Sequence, residues 1–316
     1  MSNSRETPPD RPRPWLRWGW IIARLWLVSY LAIVLLVSIA QRQLIYAPSR
    51  VPQVPINAAG FLPGAGEPVS ITAQDGLQLH GWHFLPPPLT AVDAAGFDRR
   101  LQEGRKVVLF FPGNGGNRGD RDRDFRVLSN LNVHIFAFDY RGYGENPGHP
   151  TEEALAADAR VIWKYITETR RVPADRIILY GESLGGGVAT RLASDLCTAG
   201  TPPAGLILRS TFSSMIDAAG IHYPWLPVTL ILKDRYRSDL RIPQMTAPLL
   251  MLHGTRDTIV PVTLGRKLFE LAPAKSANDI AKTFVELPRA DHNDVLDADP
   301  AEFRDGLRKF LAGLPK

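Results

Sequence analysis

Apolar residues first gather in one long stretch, Trp15 to Ala40, interrupted only by Arg17, Arg24 and a few small polar residues. Within it, Leu25 to Ala40 is 16 residues without a charge. The stretch is apolar on every face and precedes the rest of the chain. It therefore predicts a helix that crosses a bilayer, which takes about 20 residues, rather than a helix buried in a core. Trp15, Trp18, Trp20 and Trp26 suit a belt at the membrane interface, and Arg24 can extend to the headgroups.

Beyond residue 68 the pattern becomes an alternation of short strands and amphipathic helices. Val69–Thr72 and Leu77–Phe84 predict a hairpin turned by Gln74-Asp75-Gly76, and residues 85–105 a loop. Lys106–Phe111 is a wholly apolar run of the buried parallel-strand kind. Then follow helix 120–131, strand 133–138, and a long helix 151–169 capped by Thr151 with Glu152 and Glu153 in its first turn. Strand 176–180, helix 184–196, strand 205–208, strand 248–253, helix 261–271, strand 283–287 and helix 300–311 complete the order. This βαβα order predicts an α/β fold with a mostly parallel sheet and helices on both faces. One connection, Thr211 to Ala247, runs to 37 residues and predicts a small cap over a site.

Charge sharpens the amino-terminal reading. Of a formal net charge of +5, the first 24 residues supply +3, from five arginines against Glu6 and Asp10. Positive charge ahead of the span predicts a cytoplasmic amino terminus and an exported (periplasmic or extracellular) domain. Ser38-Ile39-Ala40 also offers a cleavage site, so a secreted chain after signal removal is the alternative. The expected divisions are a basic cytoplasmic tail at 1–17, a transmembrane anchor or signal segment at 18–40, a connector at 41–68, and the α/β domain at 69–316 with its cap at about 211–247. The remaining charge is nearly balanced and forms no arginine–aromatic stripe, so no nucleic-acid partner is expected. Cys197 is the lone cysteine; it excludes an intramolecular disulfide and has no metal-spaced companion. Nothing in the sequence fixes the oligomeric state.

The chemistry centres on Gly181-Glu182-Ser183-Leu184-Gly185, placed between a strand and a helix. A serine on such a sharp turn needs small residues two positions either side, and its hydroxyl projects beside the first helical N–H groups. A serine hydroxyl is a weak nucleophile near neutral pH and needs a base oriented by a carboxylate. Asp257 follows the strand ending at His253, and His292 lies in the loop after the next strand. His253 is better suited to packing or support. Two backbone N–H donors should hold a developing oxyanion: Leu184, directly after the nucleophile, and Asn114, in the loop Phe111-Pro112-Gly113-Asn114-Gly115-Gly116-Asn117. That loop is not a phosphate cradle, since Arg118 stands where a third glycine would be needed.

Together these segments resemble an α/β-hydrolase. More narrowly, they are similar to the membrane-anchored branch related to depalmitoylases and serine aminopeptidase-like hydrolases. Phe111-Pro112-Gly113-Asn114, Asp139-Tyr140-Arg141-Gly142-Tyr143-Gly144, Gly181 to Gly185, His253 to Asp257 and Asp291-His292-Asn293-Asp294 carry the likeness. Tyr223-Pro224 and Gln43-Leu44-Ile45-Tyr46-Ala47-Pro48 add to it. The resemblance implies Ser183 as nucleophile, Asp257 as acid and His292 as base, with Asp139 in a structural turn. Pro112 departs from the histidine many such enzymes carry, which alters loop support but not the N–H donors. The expected activity is hydrolysis of carboxylic esters or thioesters of small-molecule or lipid-like acyl substrates, without metal or organic cofactor. A peptidase with the same triad, or a non-catalytic binding protein on this fold, are the alternatives.

Overall fold

The computed structural model describes residues 14–59, 64–87 and 92–315. Arg5, Arg11 and Arg13 of the basic tail, and Pro88 of the proline run, lie outside these ranges.

The first described element is α1 (Pro14–Ile45), one unbroken helix of 32 residues. Its apolar window has a mean hydropathy of 2.2, and none of that window is buried in the fold. The helix passes Ala40 and continues through Ile45, so the first five residues expected in the connector are helical. A two-residue strand, β1 (Ala47–Pro48), follows. Next come β2 (Gly66–Thr72) and β3 (Gln78–Phe84), the expected hairpin. The segment expected as loop at 85–105 contains a helix, α2 (Ala94–Leu101). Asp93 caps it by accepting the Gly96 N–H at 2.8 Å, a start signal obscured by the neighbouring prolines.

β4 (Val107–Phe111) and β5 (Gly115–Gly116) come next; β5 pairs with β1. A 3₁₀ turn at Arg118–Arg121 precedes α3 (Asp122–Ser129), so the expected helix from 120 opens as a tighter turn closed by an Asn117–Asp120 capping box. Then come β6 (His134–Phe138) and α4 (Glu152–Lys164), the latter ending in a π-helical turn at Tyr165–Thr169. β7 (Ile177–Glu182) feeds α5 (Leu184–Thr198), and β8 (Gly205–Arg209) follows. The long insertion holds three short helices: α6 (Met215–His222), α7 (Val228–Ile231) and α8 (Ser238–Arg241). β9 (Leu249–Gly254), α9 (Val262–Leu271), β10 (Thr283–Leu287), α10 (Val295–Ala298) and α11 (Pro300–Gly313) finish the chain.

The main sheet runs β10-β9-β8-β7-β4-β6-β3-β2, eight strands, parallel from β10 to β6 and antiparallel at the β3 and β2 edge. Side-chain alternation divides its core. Leu109 and Leu179 point to the face covered by α4, α5 and α9, where Leu155, Val188 and Leu268 are buried. Val108, Phe110 and Tyr180 point to the other, beneath Phe125 of α3 and Leu307 of α11. Central strands buried on both faces explain the unbroken apolar runs. The loops leaving β4, β7, β9 and β10 meet at one rim, where groups outside strand carboxyl ends converge.

Candidate active site

The turn between β7 and α5 places Ser183 with φ 50°, a left-handed conformation rare for residues other than glycine. The close packing explains its glycines. A Cβ at Gly181 would lie 2.6 Å from the Gly185 carbonyl oxygen, and one at Gly185 only 2.1 Å from that of Phe111. The strained turn is held from both sides: the Ser183 N–H donates to the Arg209 carbonyl at 2.8 Å, and the Thr211 hydroxyl to the Ser183 carbonyl at 2.8 Å.

His292 reaches this serine from the loop after β10. Its Nε2 lies 3.1 Å from Ser183 Oγ, and its Nδ1 lies 2.8 Å from Asp257 Oδ2. With the ring proton on Nδ1 facing the carboxylate, Nε2 is an acceptor for the serine hydroxyl. The His292 loop is itself tied down: Asp291 Oδ1 accepts the N–H groups of His292 and Thr258, at 2.7 and 2.8 Å.

Burial would raise the Asp257 carboxyl. Hydrogen bonds to His253, His292 and the Val260 N–H outweigh it and hold the group at about 2. His253, fully buried, donates from Nε2 to the Val260 carbonyl at 2.8 Å and lies 3.3 Å from Asp257 Oδ2. It thus supports the carboxylate rather than the serine. Asp139 is elsewhere engaged. Its carboxylate accepts the Arg118 backbone N–H at 2.6 Å and forms a buried ion pair with that guanidinium.

Asn114 and Leu184 line the same cavity as Ser183. The Asn114 backbone is fixed, with its carbonyl accepting from the Ala47 N–H at 3.1 Å and the Tyr143 hydroxyl at 2.8 Å. The cavity measures about 380 Å³ and is walled by Phe212, Met215, Ala218 and Leu232 of the insertion. Leu44 and Ile45, from the last turn of α1, complete the wall. Sequence reasoning placed these two in a connector. The signal available was their place in the Gln43-to-Pro48 stretch, directly after the membrane segment.

A second, polar hollow lies on the other side of His292, with Arg121, Asp124, Glu182 and Arg209 in its wall. Despite its burial, Arg209 and Arg121 hold the Glu182 carboxyl at about 2. Glu182 therefore stays charged beside the Ser183 turn, where it also accepts the Gly113 N–H at 3.3 Å. The adjacent Glu182 and Arg209 of paired strands form an ion pair at 3.0 Å that sequence reasoning did not single out. Among the described residues, no group of three or more His, Cys, Asp or Glu side chains is arranged to hold a metal ion.

An eight-stranded, mostly parallel sheet with a serine on the β7–α5 turn defines an α/β-hydrolase architecture. The chain belongs to the alpha/beta hydrolase family, whose sequence model matches residues 108–305. It is 40% identical over 271 residues to an uncharacterised protein of Mycobacterium tuberculosis, covering 86% of this chain and 87% of that one. It is 34% identical over 232 residues to the lysophosphatidylserine lipase ABHD12 of Danio rerio, covering 67% of this chain and 60% of that protein. Among solved structures, the Pyrococcus furiosus esterase Pf2001 superposes with a TM-score of 0.62 at 18% identity, covering 85% of this chain and 98% of that one. That likeness is one of fold. The homologues support a hydrolase, and α1 supports association with a membrane.

Proposed function

We propose that this protein is a membrane-anchored serine hydrolase that cleaves lipid-like carboxylic esters through an acyl-enzyme on Ser183. The observation that carries the reading is the unbroken row Asp257–His292–Ser183, with contacts of 2.8 and 3.1 Å, at the edge of an apolar cavity. Ser183 Oγ attacks the substrate carbonyl while His292 Nε2 takes its proton. The carbonyl oxygen becomes an oxyanion, which the N–H groups of Leu184 and Asn114 stabilise. His292 then protonates the departing alcohol, and the ester bond breaks. Water, deprotonated by His292, attacks the acyl-serine and releases the acid, returning Ser183 to its hydroxyl form. Asp257, charged throughout, fixes the imidazole tautomer and stabilises the imidazolium.

The substrate class rests on the apolar wall of the cavity and on the printed activity of the Danio rerio relative, a lysophosphatidylserine lipase. One-chain acyl esters suit a cavity of about 380 Å³. The anchor reading places α1 across the bilayer with the amino terminus in the cytoplasm and the catalytic domain on the opposite side. The test is hydrolysis by the purified full-length protein of matched long-chain lysophospholipid, acyl thioester and aminoacyl substrates. Turnover of lysophospholipid, abolished in Ser183→Ala, is the expected outcome. Turnover of the aminoacyl substrate alone would make the protein a peptidase. Ser183-independent turnover, or none, would overturn the proposal.

A further inference from the structure

The cap does not simply sit above the sheet; it lies along α1. The Tyr30 hydroxyl donates to the Trp225 carbonyl at 3.0 Å. Eleven residues further along the helix, Gln41 Nε2 donates to the Ile231 carbonyl at 3.0 Å, and Gln41 Oε1 accepts the Lys233 N–H at 2.7 Å. Arg42 then pairs with Asp234 at 2.9 Å. The limb from Trp225 to Asp234 is therefore held against α1 from Tyr30 to Arg42.

Tyr30 lies deep within the apolar part of that helix. The candidate span is Trp18–Ile45, 28 residues. A hydrocarbon core of about 30 Å takes only about 20 of them at 1.5 Å each, ending near Val37 if counted from Trp18. Tyr30, and with it Trp225, then sits roughly 10 Å below the boundary on the domain side. A boundary drawn closer to Ile45 would sink it further.

The limb has the composition such a position demands. Tyr223 to Leu232 carries no formal charge, and charge resumes at Lys233, beside the level where it resumes in α1 at Arg42. Trp225 is 53% exposed and Leu230 81% exposed among the described residues. An isolated apolar side chain on a surface needs no explanation, but a patch continuous with a membrane helix does.

We infer that the Tyr223–Leu232 limb of the cap, which carries α7, is inserted into the outer part of the bilayer alongside α1, so that the substrate cavity opens to lipid rather than to water. Interfacial elements bury their apolar faces to about this depth. Tyr223 and Leu232, at the two ends of the limb, and Leu44 of α1 also line the cavity holding Ser183. An acyl chain can move from the bilayer into the cavity along these side chains without crossing water. The inference rests on α1 being a retained membrane span, and its docking part is independent of catalysis.

The test uses full-length protein in vesicles of phosphatidylcholine with phosphatidylglycerol, in a Cys197→Ala background. An environment-sensitive fluorophore is attached at Leu230→Cys or, as a control on the far end of α4, at Glu168→Cys. The Leu230 probe is expected to emit blue-shifted and to be quenched by nitroxides on lipid acyl chains. The Glu168 probe should be quenched by aqueous iodide. Equal iodide quenching at both positions would overturn the insertion, whatever the activity of the protein. The second arm is Leu230→Asp, a position outside the cavity wall. It should leave hydrolysis of a water-soluble short-chain ester unchanged and reduce that of a long-chain ester embedded in vesicles by about tenfold or more. An equal loss on both esters would contradict entry from the bilayer, and loss on neither would contradict insertion.

Discussion

Gly265, on α9, controls the relay without belonging to it. A Cβ there would lie 2.4 Å from His253 Nδ1, and His253 in turn contacts Asp257. Gly265→Ala should therefore displace the ring and tilt the carboxylate. A misplacement of this order costs about 10²-fold in kcat with KM little changed, since binding is made elsewhere. Unchanged kcat in a folded variant would remove His253 from the relay. On the proposed mechanism, Ser183→Ala and His292→Ala should each lower turnover by about 10⁴- to 10⁶-fold, and the double variant by little more, because the two would act as a unit. Additive losses in the double variant would argue against that unit. These positions were legible in the sequence because their chemistry demands local spacing. Gly181 is forced by backbone contact within the turn and Gly185 by the backbone of Phe111 and Pro112, and Asp257 and His292 each follow a readable strand. His253 was read as packing or support, without the partner it supports. Its role depends on a bend that brings Val260 back to it, and nothing in a strand-ending His-Gly pair announces that.

Among the elements, strands were read more closely than the segments between them. β4, β6, β7 and β9 are buried on both faces, so their apolar runs are continuous and their ends differ by a residue or two from expectation. α2 was missed because only eight residues separate it from loop, and its apolar face is brief. The sequence marked 41–68 only as a connector. In fact Tyr46 and Val54 are buried, and β1 pairs with β5 in the loop carrying Asn114. That long-range pairing leaves no periodic trace in two residues. The clamp between α1 and the cap is also long-range. Asp234 accepts from Arg42 and, at 3.2 Å, from the Tyr46 hydroxyl, which lies 2.8 Å from the Tyr236 hydroxyl. Asp234→Ala leaves the exposed Arg42 and, more costly, the buried Tyr46 without this partner, and should lower stability by about 1–3 kcal/mol. Urea unfolding in detergent, compared with Asp234→Asn, measures it; an unchanged midpoint in Asp234→Ala would show that the clamp contributes nothing.

For the whole molecule, stability between pH 6.5 and 5 should depend on a buried histidine pair far from Ser183. His83 and His134 lie in the sheet interior with their rings 3.0 Å apart through Nε2 and Nδ1. Burial keeps both neutral, pushing His134 down to about 2 and His83 well below its ordinary value; the nearby Arg170 adds to the effect at His83. The unfolded chain takes up these protons near pH 6.5 while the folded chain refuses them, so stability falls as pH drops below that value. Each group contributes at most about 1.4 kcal/mol per pH unit. Glu67, which contacts His83 at 2.9 Å and whose carboxyl is raised by burial, acts in the opposite sense at more acid pH. The melting temperature should therefore decline from pH 6.5 to 5, and less steeply in His134→Asn; identical slopes would assign the acid sensitivity elsewhere.

On the proposed function, the clamped insertion and the fixed loops serve to make the Ser183 alcohol reactive. The most direct measurement is therefore labelling of the full-length protein with a serine-directed fluorophosphonate, followed by mass spectrometry of its peptides. A single adduct on Ser183, lost in Ser183→Ala and much slowed in His292→Ala, is the predicted result. An adduct on another residue, or none on folded protein, would contradict it.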